Sequence, residues 1–367
     1  MSLNKIRILH FPPLKITLRS HLTFYDNEYF ENYYLIPDDS KNRSLVKSKN
    51  IKIFKHLNKS KKDYSEIEKI ILKIKPDVFI ISDILTDIQF KEFLKKHVNL
   101  LYFVHHGFWN CHAIKDLVKN DMYKKNYDYL TRAFVLRRNF HHFNKFRNKF
   151  YPINGLPQLD YMLTVDLVQA KKSLHKINKS SILLITNYKT EMDTCVKEYT
   201  EILNSLIKFS IEKNYHIYTK IKRPDSKISS MIAKNVLNKN KYVTLISDDS
   251  LLYEYFFCDI IVIQTTGTSL IESLILNKPT ILCQIKNHID YMDIKKYKHI
   301  PQANDLNQLT KWLKKLDKKS QAIISSEKYM NDRNAYLEEN LGKLENTTNK
   351  ILEIIQNDFD QIDKNKI

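Results

Sequence analysis

The sequence contains very little glycine, only 4 in 367 residues. Glycine tolerates left-handed backbone and lets a ligand approach the main chain closely, so a chain this poor in glycine should keep it where another residue would be costly. Gly107, Gly155 and Gly267 each follow an apolar, strand-like run, whereas Gly342 interrupts a C-terminal helical segment. The first three glycines therefore mark candidate site loops.

Cysteines and long apolar runs are scarce as well. Cys111, Cys195, Cys258 and Cys283 show no paired, metal-type spacing, which is typical of reduced and mostly buried thiols. No apolar run approaches the roughly 20 residues needed to cross a bilayer, and charges come too early in the chain for a signal peptide. We therefore expect a globular, cytoplasmic protein, and peripheral contact with the anionic inner face of a membrane stays open.

Positive charge is abundant, with 60 Lys and Arg against 41 Asp and Glu and a formal net charge of +19. This balance favours an anionic partner, which is a nucleic acid, an acidic membrane surface or a phosphorylated substrate. The most basic segment, from Arg132 to Lys149, interleaves Phe140, Phe143 and Phe146. It suits membrane or nucleic-acid binding, or a helix that packs its phenylalanines on a sheet with its charges in water. The packed helix is preferred, so nucleic acid is not the expected partner.

Short apolar runs rich in β-branched residues alternate with helical periodicity along most of the chain. Val78–Ile81, Leu100–Val104 and Ser181–Ile185 are examples, and each suits a strand buried on both faces. Such alternation predicts parallel sheets with right-handed crossovers. The predicted fold class is α/β, with two Rossmann-like, doubly wound domains facing a cleft.

A chain of 367 residues is expected to form about two domains of roughly 150 residues each. A charged, helical connection after residue 160 places the boundary there, which gives domains at 1–160 and 161–330. Periodicity over 336–355 predicts one long amphipathic helix. This helix belongs to a final segment, 331–367, that we expect to pack back on the first domain.

The most informative stretch is a predicted strand–turn–helix unit that begins with the apolar run Ile260–Ile263. A loop of hydroxyls around one glycine follows, at Thr265, Thr266, Gly267, Thr268 and Ser269. Amide groups at the start of a helix bind anions, and glycine lets a phosphate approach the backbone. Ser269 and Glu272 also have the spacing of a capping box, which would only close the start of the helix. Both interpretations stay open.

Two further strand ends carry groups suited to transfer chemistry. His105 and His106 follow a predicted strand, and an imidazole titrates near neutral pH, as the base for a hydroxyl must. Lys222 and Arg223 follow another strand, and the planar Arg fork suits phosphate oxygens. The alternatives are a histidine that fills the layer at the strand end and ordinary solvated charges.

These motifs resemble, in chain order, the CDP-glycerol glycerophosphotransferase family and its relatives among capsule-polymer transferases and UDP-sugar 2-epimerases. The matching segments are Val104–Gly107, Gly155–Asp160, Arg223–Pro224 and Gln264–Ser269. Three departures accompany them. The family's Thr-Pro-Leu-Lys after the His-Gly pair is absent, its Gly-x-Pro-Arg has glutamine at Gln158, and the usual histidine before the basic-Pro pair is missing.

The resemblance implies a GT-B-like fold and a role for each matching residue. His106, with His105 beside it, would be the catalytic base, and Glu272 would accept a hydrogen bond from ribose hydroxyls. The donor phosphates would be held by Lys222, Arg223, Thr265, Thr266, Gly267, Thr268 and Ser269. The cleft would be lined by Gly107, Gly155, Pro157 and Asp160. The first domain would bind the acceptor and the second the nucleotide donor, without a metal or cofactor.

Three functions follow from these observations. The first is a glycosyl or glycerol-phosphate transferase that uses a nucleotide-sugar or CDP-glycerol donor and builds a surface polysaccharide, a teichoic-acid-like polymer or a glycolipid. The second is a UDP-sugar 2-epimerase-like enzyme, for which Asp83 and Asp160 are the candidate acidic catalysts. The third is a basic nucleic-acid-binding protein. The transferase is preferred, because a binding protein has no need for glycines at three separate strand ends.

Overall fold

The structure is a computed structural model, and the chain divides into two compact units. One unit is formed by Met1–Thr164 together with Leu341–Ile367, and the other by Val165–Asn340. The described residues are 5–12, 18–37, 50–54, 64–82, 85, 87–104, 127–140, 148–164, 180–185, 192–220, 241–246, 252–264, 266–285, 292–343 and 346–364. The acceptor and donor roles of the two units stay predictions.

Strands and helices alternate through both units. The strands are β1 (Ile6–Phe11), β2 (Phe30–Pro37), β3 (Ile51–Phe54), β4 (Val78–Ile81), β5 (Leu100–Val104), β6 (Arg132–Leu136), β7 (Phe150–Ile153), β8 (Ser181–Ile185), β9 (His216–Lys220), β10 (Val243–Leu245), β11 (Ile260–Ile263), β12 (Thr280–Cys283) and β13 (Gln302–Ala303). The helices are α1 (Ser65–Ile74), α2 (Ile88–His97), α3 (Arg137–Phe140), α4 (Pro157–Thr164), α5 (Met192–Lys213), α6 (Leu252–Phe257), α7 (Thr268–Ile275), α8 (Leu306–Ile324), α9 (Glu327–Leu341) and α10 (Thr347–Lys364).

The first unit is built on a parallel sheet with the strand order β3-β2-β1-β4-β5-β6-β7. Chain order reverses between β1 and β4, which makes the carboxyl ends of these two strands the topological switch point of the sheet. In open α/β sheets, ligands tend to bind at that place.

Both faces of this sheet are buried. One face packs against α1 and α2 through a cluster that includes Leu9, Phe79 and Leu94. The opposite face carries Ile8 and Val78, among others, and is covered by apolar residues of α10, such as Ile351 and Ile355. The prediction that a C-terminal helix packs back on the first domain is therefore confirmed for α10, whereas residues 331–340 belong to the second unit.

One long helix over 336–355 was the expectation, but α9 ends at Leu341 and α10 begins at Thr347. Gly342 adopts a left-handed φ of +80° between them. A Cβ at this position would clash with the side-chain amide of Asn154. The prediction of a continuous helix is wrong, because a helix cannot pass through a left-handed residue.

The second unit holds a parallel sheet with the strand order β10-β9-β8-β11-β12-β13. Its switch point lies between β8 and β11. One face of the sheet packs against α5 and α8, with Val262 and Ile281 in the same cluster as Leu203 and Leu313. Among the described residues, no helix has the length and apolarity required of a membrane span.

Candidate functional site

Several of the predicted site residues lie outside the described part of the chain. They are His105, His106, Gly107, Lys222, Arg223, Thr265 and Asp83. Their roles stay predictions. The described candidates fall into two groups, one in each unit: the turn at Thr266–Ser269 with Glu272, and the motif with Gly155, Pro157 and Asp160.

The turn in the second unit follows β11 at the switch point of its sheet. The backbone N–H of Gln264 donates to the carbonyl oxygen of Ile185 at 3.1 Å, so β8 and β11 are paired up to the start of the turn. Helix α7 begins at Thr268, with Gly267 as its N-cap residue and no side-chain hydrogen bond to the cap. The helix therefore presents its first turn at the edge of the sheet where a ligand is expected.

The capping-box interpretation of Ser269 and Glu272 is wrong. A capping box requires its hydroxyl at the N-cap and its carboxylate at the third helical residue. Ser269 is instead the second residue of α7, and its carbonyl oxygen accepts a hydrogen bond from the hydroxyl of Tyr255 at 3.3 Å. Glu272 lies one turn further along the helix and is 4% exposed. The carboxylate of Glu272 therefore does not cap the helix start, and it does not neutralise the positive end of the helix dipole there.

Gly267 is not required by the fold itself. Its φ of 161° is extended backbone, which any residue adopts, and a Cβ at this position would meet no atom of the described residues within 4 Å. The role of Gly267 in a candidate site loop stays a prediction, since the conformation of the backbone does not itself require glycine here. The open space above the Cα atom lies at the start of α7, where a phosphate can approach the backbone.

A buried carboxylate holds the strands together at this edge of the second sheet. Glu198 on α5, 1% exposed, accepts one hydrogen bond from Nε2 of Gln264 at 3.1 Å and another from the backbone N–H of Ile285 at 2.7 Å. It joins α5 to the ends of β11 and β12. Sequence reasoning missed this role, because Gln264 and Ile285 stand 66 and 87 residues away from Glu198 in the sequence.

The motif in the first unit holds the start of α10. Gly155 has a left-handed φ of +74°, and a Cβ there would lie 2.6 Å from Oγ1 of Thr347. Its backbone N–H donates to the carbonyl oxygen of Leu341 at 3.0 Å. Oδ2 of Asp160 accepts hydrogen bonds from the backbone N–H and the hydroxyl of Thr348, at 2.7 and 2.8 Å. We call residues 155–160 with 341–348 the C-terminal latch.

These contacts account for the residue types of the motif, and no contact with a substrate is needed to explain them. Gly155 is needed for its conformation and for space, as the scarcity of glycine predicts. Pro157 is the first residue of α4, where a proline suits the start of a helix. Burial raises the pKa of Asp160, and the hydrogen bonds from Thr348 oppose that rise. Asp160, predicted for the cleft and as an epimerase acid, thus has a structural role.

A hydrogen-bonded network of buried polar side chains lies at the switch point of the first sheet. Nδ2 of Asn32 donates to Asp26 at 3.2 Å, so its Oδ1 is the acceptor for Nε2 of His10 at 2.9 Å. Nδ1 of His10 then accepts from Nδ1 of His21 at 3.0 Å, and Nε2 of His21 accepts from the hydroxyl of Ser82 at 2.5 Å. The hydrogen bonds fix one tautomer for each neutral imidazole.

Burial holds His10 uncharged. This side chain is fully buried, and burial lowers its pKa to about 4. Ser82 is also fully buried and forms the end of the network, directly after β4. The network therefore joins these segments at the carboxyl edge of the sheet. Sequence reasoning missed it, because the four side chains come from separate segments of the sequence.

Neither a protein-family model nor a curated protein sequence matches the chain. Solved structures match it over nearly its whole length. A putative UDP-N-acetylglucosamine 2-epimerase from Listeria monocytogenes has a TM-score of 0.67 and 12% identity, covering 98% of this chain and 98% of its own. The wall teichoic acid polymerase TagF has a TM-score of 0.65 and 14% identity, covering 98% and 90%.

A third match is MnaA from S. aureus, solved with UDP. It has a TM-score of 0.64 and 14% identity and covers 96% of each chain. All three identities are too low to transfer an activity. The shared architecture is two Rossmann-like domains with parallel sheets, here of seven and six strands. The chain therefore has the GT-B-like fold found in nucleotide-sugar enzymes and in a teichoic acid polymerase.

Proposed function

We propose that the protein is a GT-B transferase that moves a glycosyl or glycerol-phosphate group from a nucleotide-activated donor, and that the turn Thr266–Ser269 binds the donor's phosphates. The observation that carries the proposal is the start of α7. It lies at the switch point of the second sheet, and open space lies above Gly267. Helix N-termini at this place in α/β sheets are suited to phosphate groups.

The transfer step needs a base, an acceptor and a stabilised leaving group. The base, for which His106 is the candidate with His105 beside it, takes the proton of an acceptor hydroxyl on a glycan or glycolipid. The hydroxyl oxygen forms a bond to the sugar carbon or the glycerol phosphorus, and the bond to the departing nucleotide breaks. The charge on that nucleotide is neutralised by amides of the turn, together with Lys222 and Arg223.

The names of the matched structures support a nucleotide donor. MnaA was solved with UDP, and TagF is a polymerase of wall teichoic acid. An epimerase is the second candidate, because the Listeria monocytogenes match is a putative UDP-N-acetylglucosamine 2-epimerase. Of the two acidic catalysts that an epimerase would need here, Asp160 is engaged in the C-terminal latch. This engagement favours the transferase.

Calorimetric titration tests the nucleotide site. UDP, CDP, GDP, UDP-GlcNAc, CDP-glycerol and a short DNA duplex are added in turn to the wild-type protein and to a Gly267→Ala variant. We expect selective binding of one nucleotide family and a loss of at least tenfold in affinity in the variant. Thermal unfolding should be unchanged, because the new Cβ meets no atom of the described residues. Equal affinities in the two proteins, or salt-sensitive DNA binding without nucleotide binding, would overturn the proposal.

Group transfer and epimerisation differ in whether the C2–H bond of the sugar is broken, and this difference can be measured. Inversion at C2 of a sugar breaks its C2–H bond, so an epimerase incorporates deuterium at C2 in heavy water without any acceptor. A transferase releases its nucleotide in proportion to acceptor and leaves C2 of the donor protonated. Proton NMR of UDP-GlcNAc incubated with the enzyme in heavy water distinguishes these outcomes.

A further inference from the structure

Gln284 lies at the carboxyl end of β12, beside the turn that starts α7. In the parallel ladder Leu282 is paired with Ile263, so Gln284, two residues further, is level with the beginning of that turn. The backbone N–H of Gln284 donates to the carbonyl oxygen of Ala303 at 2.8 Å. The main chain at this position is therefore fixed by the sheet.

The side-chain N–H₂ group of Gln284 has no hydrogen-bond partner among the described residues. The residue is 7% exposed, and its buried Nε2 has no hydrogen bond within the part of the chain that the structure describes. A buried N–H group without a partner costs free energy, and native proteins rarely keep one without a use. Gln264, on the next strand and 1% exposed, donates from its Nε2 to Glu198. The side-chain amide after β11 is thus hydrogen-bonded through its Nε2, whereas Nε2 of the amide after β12 has no partner among the described residues.

The alternation of β12 shows which way the amide faces. Ile281 and Cys283 lie in the cluster formed with α5 and α8. Because successive side chains of a strand point to opposite faces, Leu282 and Gln284 face the other side of the sheet. Helix α7 packs against β11 and β12 and contributes no residue to the cluster with α5 and α8, so it covers that other side. The side chain of Gln284 therefore lies on the face of the sheet that α7 covers, level with the start of the turn before α7.

We propose that Nε2 of Gln284 donates a hydrogen bond to an oxygen of the diphosphate of the nucleotide-activated donor. The assignment rests on the proposed function, since it supplies a binding residue for the same site. The helix start and the open face at Gly267 offer backbone groups to phosphate, and Gln284 adds a neutral side-chain donor from the neighbouring strand. The ligand satisfies an amide that the free protein leaves unpaired.

This assignment predicts opposite effects on stability and on binding. Replacing Gln284 by Met keeps the length of the side chain and removes the unpaired donor, so the nucleotide-free protein should unfold at the same temperature or higher. Affinity for the selected nucleoside diphosphate, UDP or CDP, should fall at least tenfold, because a hydrogen bond to a charged oxygen is lost. Affinity for the matching nucleoside, measured by ligand-observed NMR, should not change.

Gln264→Met is the matched control. Its Nε2 is the partner of the buried Glu198, so this variant should unfold at a lower temperature than the wild type without nucleotide. If Gln284→Met also unfolds early, the amide serves the protein and the assignment is wrong. If Gln284→Met binds the diphosphate as the wild type does, the assignment alone fails. If the wild type binds no nucleotide, the proposed function fails, and the assignment with it.

Discussion

Replacing Asp160 by Ala separates a structural from a catalytic role for this carboxylate. Oδ2 of Asp160 accepts two short hydrogen bonds from Thr348, the second residue of α10, and both residues are buried. The Ala variant leaves a backbone N–H at the start of α10 without its acceptor. The hydroxyl of Thr348 keeps one neighbour, the hydroxyl of Thr23 at 2.6 Å.

The cost follows from these contacts. Loss of a carboxylate at a helix N-terminus costs about 1 kcal/mol, and leaving a buried donor unsatisfied costs about 1–3 kcal/mol. Desolvation of the carboxylate, which raises the pKa of Asp160, offsets part of this. We expect the free energy of unfolding to fall by about 2–3 kcal/mol, which lowers Tm by roughly 5–10 °C in a unit of this size.

Differential scanning calorimetry measures the change, and nucleotide-donor turnover is assayed on the folded variant. Asp360→Ala is the control, because among the described residues its exposed carboxylate accepts only from Nε2 of Gln356, and its loss should stay within about 0.5 kcal/mol. Asp160→Asn keeps an acceptor oxygen and should recover part of the stability. An Asp160→Ala protein that unfolds like the wild type yet loses all turnover would refute the structural role and support a catalytic role for Asp160.

Three other changes test the fold around the candidate sites. Gly155→Ala should lower Tm by several degrees, since it strains a left-handed residue and brings a Cβ to 2.6 Å from Oγ1 of Thr347. Burial lowers the pKa of His10 from 6.5 to about 4, so as the pH falls the unfolded chain binds a proton at His10 before the folded protein does. The free energy of unfolding, measured in urea, should therefore fall by about 3 kcal/mol between pH 7 and pH 4. His10→Gln should remove this part of the pH dependence. Arg132→Ala should destabilise the first unit by about 3 kcal/mol without changing DNA binding, because Arg132 bonds through two nitrogens to the buried Asp358.

Each of these changes has a contradicting result. Gly267→Ala is the control for Gly155→Ala and should unfold like the wild type, and equal losses at the two glycines would contradict the contrast between them. The buried network is misassigned if His10→Gln leaves the pH dependence of the free energy of unfolding as it is. Loss of DNA binding without loss of stability in Arg132→Ala would revive the nucleic-acid hypothesis.

The strands of the fold were predictable from the sequence because they are buried on both faces. The bounds of β4, β5 and β11 coincide with unbroken apolar runs, and β8 adds only Ser181 to such a run, which is the pattern of central parallel strands. Helix ends were harder to predict. The apolar period continues past Gly342, and only its left-handed backbone and its crowding by Asn154 show that the chain must turn there.

The candidate sites were predictable only where their residues are neighbours in the sequence. The turn at Thr266–Ser269 is a single segment, and the structure places it at a switch point. Asp160 was assigned to the cleft because Gly155–Asp160 resembles a family motif. Its partner Thr348 stands 188 residues away, and spacing carries no signal for such a contact. Gln284 gave no signal at all, since its distinguishing feature is an amide that is buried without a partner.

Hydrogen–deuterium exchange with and without nucleotide tests the central claim most directly. The nucleotide selected by titration is added at saturation, and exchange is followed in peptides that cover residues 264–272, with residues 150–164 as the comparison. The proposed phosphate site predicts slower exchange of the backbone amides in 264–272, because phosphate oxygens accept from the first turn of α7. Saturating nucleotide that leaves exchange in 264–272 unchanged and slows it only in other segments would contradict the account.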